Sequence, residues 1–106
     1  MIETAERPVF TLLVQVGRAA EDGLPEGTTG AGLLCYATGV DEEEAVRETV
    51  AVLRQAGMAP LEVEGLGTAE ERAAEGHEID PAERALMQRA RDDNAVIVAQ
   101  TTLFDD

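Results

Sequence analysis

Gly32-Leu33-Leu34-Cys35-Tyr36-Ala37-Thr38, followed by Asp41-Glu42-Glu43-Glu44, a helical pattern to Ala56, then Gly57 and Pro60-Leu61-Glu62-Val63-Glu64, decides the fold class. The first segment is apolar on both sides of a period of two, as a strand requires. Asp41 is a helix N-cap, and Glu44 three residues later completes a capping box. Three consecutive glutamates sit where the helix dipole is positive. Val46, Thr49, Val50, Leu53 and Ala56 recur at helical spacing and form one apolar stripe. Gly57 supplies the left-handed residue that ends a helix. A strand from Pro60 to Leu66 follows, with proline at its start and glutamates on one side, the pattern of a sheet edge.

Working outward, Val9 to Val16 alternates Phe10, Leu12, Val14 and Val16 against Val9, Thr11, Leu13 and Gln15. It reads as another strand. Gly17 to Ala31 is glycine-rich and long for a connection, so it is either a mobile link or a cover over a site. Thr68 with Glu71 opens a short helix that Gly76 stops, and Asp80-Pro81-Ala82-Glu83 opens a further helix that Asn94 ends. Ala95 to Leu103 starts apolar on both faces and reads as a central strand.

These elements predict a single α+β domain over residues 1–106. The expected architecture is a two-layer sandwich. A four-stranded, mostly antiparallel or mixed sheet carries its two main helices on one face, in a ferredoxin-like or permuted arrangement. Two helices on one face leave the other bare. Phe10, Leu12 and Val14 oppose Val9 and Leu13, Leu33 and Cys35 oppose Leu34 and Tyr36, and Val96 and Val98 oppose Ile97 and Leu103. The expectation is therefore a homodimer through the sheet, which would bury that surface.

Charge excludes more than it suggests. There are 22 acidic residues against 8 basic ones, all arginine, for a net charge of −14. Such a surface repels phosphate backbones and anionic lipid, so neither nucleic acid nor a membrane is an expected partner. The longest apolar run falls short of the about 20 residues a membrane helix needs. One thiol, Cys35, forms no internal disulfide and fits the cytoplasm.

Chemistry-bearing residues are sparse. Tyr36, His77 and Cys35 are the candidate acid/base or nucleophilic groups, and would serve a small cofactor-independent enzyme if they met in one cleft. Glu75, His77 and Glu78 are the candidate metal ligands, though the same residues also make an ordinary solvated connector. Gly27-Thr28-Thr29-Gly30-Ala31-Gly32 lacks the lysine of a phosphate loop and precedes a strand, so no cofactor is expected. The residues favour a non-catalytic, dimerising interaction or regulatory domain over an enzyme. A small-molecule-sensing domain, with its ligand under the 17–31 loop, is the alternative.

Overall fold

The computed structural model describes residues 7–104. In chain order they form β1 (Val9–Val16), β2 (Gly30–Thr38), α1 (Glu42–Gln55), β3 (Pro60–Thr68), α2 (Ala69–Ala74), α3 (Pro81–Asp93) and β4 (Ile97–Phe104). The strands make one four-stranded sheet in the order β3-β1-β2-β4. Every neighbouring pair is antiparallel. β2 and β3 therefore run parallel with β1 between them, and α1 carries the chain across from one to the other, a split β-α-β unit. The α+β class and the four-stranded antiparallel sheet stand as the sequence predicts.

Helix ends follow their caps closely. Asp41 accepts the Glu44 N–H at 2.9 Å, while the Glu44 carboxylate turns back to the Val40 N–H at 2.8 Å. Thr68 and Glu71 form the full reciprocal box that starts α2. Asp80 accepts the Glu83 N–H at 2.8 Å, with Pro81 at the first position of α3. Asn94 closes α3 in the left-handed conformation, and its side-chain oxygen also accepts from the Thr38 hydroxyl at 2.9 Å. One residue thus ends the helix and ties it to β2.

Strand register separates the two sheet faces. Phe10, Leu12, Val14 and Val16 lie opposite Ala37, Cys35, Leu33 and Ala31, all pointing to one side. There they pack with Ala45 and Leu53 of α1, which forms a helical layer over this face. Thr11 lies opposite Tyr36 on the reverse side. Val9 and Tyr36 there pack with Ile79 and with Met87 and Ala90 of α3.

The two long helices therefore divide between the faces, which corrects the expectation that both lie on one. Each helix stripe says that the helix has an apolar side. It carries no record of which face that side meets. The strands do carry one, because two-sided apolar strands call for cover on both faces. Much of the surface assigned to a second copy is covered from within the chain.

β4 is also corrected. It pairs only with β2 and forms an edge of the sheet. Its two-sided apolar start arises because Ile97 faces the α3 layer, whereas Val98 lies opposite Cys35 on the other face and stays 44% exposed.

The 17–29 connection is ordered around Arg18. Its guanidinium donates to Asp22 at 2.8 Å and to the carbonyls of Leu24, Pro25 and Thr28. Asp22 also accepts the N–H groups of Ala19 and Leu24. The Arg18 hydrogen bond and those two backbone donors hold its carboxyl well below the usual range. Leu24 packs against the α1-side core, so the loop closes one end of that core. Gly57, at φ +87°, ends α1 under the Glu21 carbonyl, where a Cβ would collide.

Candidate functional site

Cys35 and Tyr36 are adjacent in sequence and face opposite ways. Cys35 is fully buried among the α1-side residues, and burial pushes its thiol up to about 11. A thiol so protonated, with only packing around it, is inert as a nucleophile at neutral pH.

Tyr36 heads a polar cluster beneath α2 and α3. Its hydroxyl donates to Glu83 Oε2 at 2.6 Å. The same oxygen accepts from Arg72 Nη1 at 3.2 Å, and that nitrogen also donates to Thr11 Oγ1 at 3.2 Å. The Arg72 and Glu83 side chains are only 12% and 21% exposed. Burial first, then the hydrogen bond and charge of Glu83, push the Tyr36 phenol up to about 12. At neutral pH it is a hydrogen-bond donor to a carboxylate and not a base. Its place in the sequence is an apolar strand, yet its function in the fold is to satisfy Glu83.

His77 is exposed in the connector between α2 and α3. A shallow hollow of about 340 Å³ borders Tyr36, with Leu34, Asp80, Glu83, Leu86 and Gln100 around it. Neither His77 nor Cys35 lines it. The three acid/base candidates are not brought together. Glu75, His77 and Glu78 are all exposed, and among the described residues no three His, Cys, Asp or Glu side chains converge in a way that could hold a metal.

Sequence reasoning missed Arg72, Glu83 and Thr11 as a unit. A threonine inside the apolar run of β1 is the one signal that hinted at it. The two charged residues, on separate helices, look like any other solvated pair in the sequence.

A second hollow, about 470 Å³, lies between α1 and the start of β4. Ala37, Val52 and Val96 line it, with Glu44, Glu48 and Arg7 at its polar side. Arg7 reaches Glu44 at 3.6 Å.

The two sheet edges differ sharply in composition. β3 carries Pro60, Glu62 and Glu64, and its pairing with β1 shifts register twice. Proline, charge and irregular pairing are the devices that stop an edge from accepting another strand. β4 reads Ile-Val-Ala-Gln-Thr-Thr-Leu-Phe, without charge, proline or glycine. Val98, Leu103 and Phe104 are three of the seven large apolar side chains exposed on the molecule's described residues.

A family described as Domain of unknown function (DUF8846) matches residues 9–105, from the first residue of β1 to just past the end of β4. The chain belongs to the DUF8846 family. The match takes in both sheet edges and the Tyr36 cluster, so each is part of the DUF8846 domain. No curated protein and no solved structure matches the chain. Among the described residues no helix is long and apolar enough to cross a membrane.

Proposed function

We propose that this DUF8846 domain is a small non-catalytic interaction module that works as a homodimer assembled through its sheet. The observation that carries the reading is β4. In a chain of net charge −14, one side of the sheet offers eight uncharged residues with exposed apolar side chains. Two copies repel each other over most of their surfaces and least here. An apolar edge without charge or proline left in water is a liability that a partner removes.

Nothing in the geometry favours catalysis by the candidate groups, because Cys35 and Tyr36 face opposite sides of the sheet and His77 is exposed in a connector. The surface charge weighs against nucleic acid as a partner. A single unpaired thiol fits a reducing, cytoplasmic setting. A small-molecule-sensing role is the second reading, and the hollow between α1 and β4 is what favours it.

Solution mass tests the main reading. The protein is expected to sediment with twice the chain mass in the high-micromolar range. Leu103→Asp, at a side chain 46% exposed, is expected to sediment as a single chain with its circular dichroism unchanged. A wild-type protein that stays monomeric at those concentrations overturns the proposal.

A further inference from the structure

The self-association proposed above has a specific geometry written into β4. We infer that two copies join edge to edge, β4 antiparallel to β4 of the second copy, in the register that sets Val98 opposite Leu103 and Ile97 opposite Phe104. The inference rests on the dimer reading and names the surface and alignment that reading leaves open.

The first argument is the contrast of edges. Both β3 and β4 present an outer row of backbone N–H and C=O groups, as any edge strand does. β3 is the blunted one, by Pro60, Glu62, Glu64 and two register shifts. β4 has no proline and no charge over eight residues and a single register shift, at Ala99, and its central Thr101 and Thr102 suit a pleated ladder.

The second argument is charge. Pairing about a two-fold axis places like residues of the two copies near one another, so an edge that binds its own copy has to be neutral. β4 is neutral in a chain that carries −14. The competing surface is the uncovered end of the reverse face, around Leu13. That patch is edged by Glu62 and Glu64, which a second copy would bring against its own.

The third argument is side-chain matching. Val98 lies opposite Cys35 and Leu103 opposite Ala31, which places both on the α1 face. Ile97 lies opposite Tyr36 and Phe104 opposite Gly30, on the reverse face. An antiparallel partner must set residues of one face against residues of the same face, since a slip of one residue exchanges the faces. The stated register does this with the apolar residues at both ends of β4, twice over by symmetry. The β2–β4 pairing shifts at Ala99, next to the two-fold axis, and there Gln100 of the reverse face meets Thr101 of the α1 face. The product is one continuous eight-stranded sheet that ends in β3, the blunted edge, on both sides.

Cysteine pairs read the register directly. Cys35 is buried, with its thiol pushed up to about 11, so it does not compete. Under copper-phenanthroline oxidation, the double variant Val98→Cys, Leu103→Cys is expected to run as a covalent dimer. Val98→Cys alone is expected not to, because its two copies lie five residues apart along the ladder, about 17 Å, beyond disulfide reach. Amide exchange on the unaltered protein is the second measurement. Protection of β4 should rise with protein concentration while that of β3 does not.

A protein that is dimeric by mass, yet gives no cross-link in the double variant and no concentration-dependent protection of β4, overturns this inference. Cross-linking through Leu13→Cys in that case places the contact on the sheet face and leaves the dimer reading standing. A monomer by mass removes both.

Discussion

The two faces of the sheet are held to their helices by different physics. On the α1 side, Leu12, Val14, Leu33, Cys35 and Ala45 have no solvent exposure and meet one another in a dry apolar layer. On the α3 side the apolar set is smaller, and the Tyr36–Glu83–Arg72–Thr11 cluster runs through it. Apolar burial is strong and non-directional, worth about 25 cal/mol per Å² removed from water. A buried polar cluster contributes less net energy but fixes orientation, because every member must be satisfied. The α1 face is therefore expected to set global stability, and the reverse face to set where α2 and α3 sit.

The largest effect is expected on the apolar side. Leu33→Ala leaves a cavity at a fully buried position and is expected to cost about 3 kcal/mol in urea denaturation. Amide exchange should accelerate across the whole sheet, because a loss from the shared core lowers the stability of everything built on it. A cost near zero would mean that the α1 layer is loosely packed and that the contrast between faces is false.

Glu83→Ala is the matching test on the other face. It strips Tyr36 and Arg72 of the acceptor they share. Breaking a buried ion pair costs several kcal/mol, but Arg72 and Glu83 keep 12% and 21% exposure, so about 2 kcal/mol is expected. The signature is its locality. Amides of α2 and α3 should exchange faster while those of α1 hold. Equal acceleration in α1 would show that the two layers unfold as one unit, and the faces would then differ in chemistry alone.

Local chemistry decided which parts of this arrangement were legible in the sequence. Caps are short-range, so Asp41, Thr68, Asp80 and Asn94 mark helix ends from the sequence alone, and β3 declares itself an edge through Pro60, Glu62 and Glu64. Which face each helix takes is a long-range choice. The apolar stripes of α1 and α3 look alike in sequence, and only strand register distinguishes them. β4 misled for a related reason. Its residues Ile97 and Val98 face opposite sides, which suggests burial on both, whereas one of those sides is open at the edge.

The Tyr36 cluster was illegible because its members come from β1, β2, α2 and α3 and meet only once the reverse layer is in place. The strand period alone places Tyr36 on the face opposite Cys35, as in the structure. What the sequence did not carry was the carboxylate waiting above it. His77 stands between Glu75 and Glu78 in sequence, but neighbours along an exposed connector need not converge in space, and among the described residues these do not.

Alkaline pH offers the subtlest probe of the same contrast. Burial, followed by the hydrogen bond and negative charge of Glu83, raises the Tyr36 phenol from 10.0 to about 12. The folded state thus holds this proton more tightly than the unfolded chain. By linkage the stabilisation is fully present below pH 10 and is lost as pH climbs through the folded value near 12. Urea midpoints should fall over that window in the wild type. In Tyr36→Phe, which removes the titrating hydroxyl, this part of the fall should vanish, with a lower midpoint at neutral pH from the lost hydrogen bond to Glu83. Cys35, buried on the α1 face, contributes alike to both proteins. The difference between the two curves therefore isolates the reverse face. If the curves stay parallel from neutral pH to pH 12, the phenol is not held by Glu83, and α3 would be attached by apolar contact as α1 is.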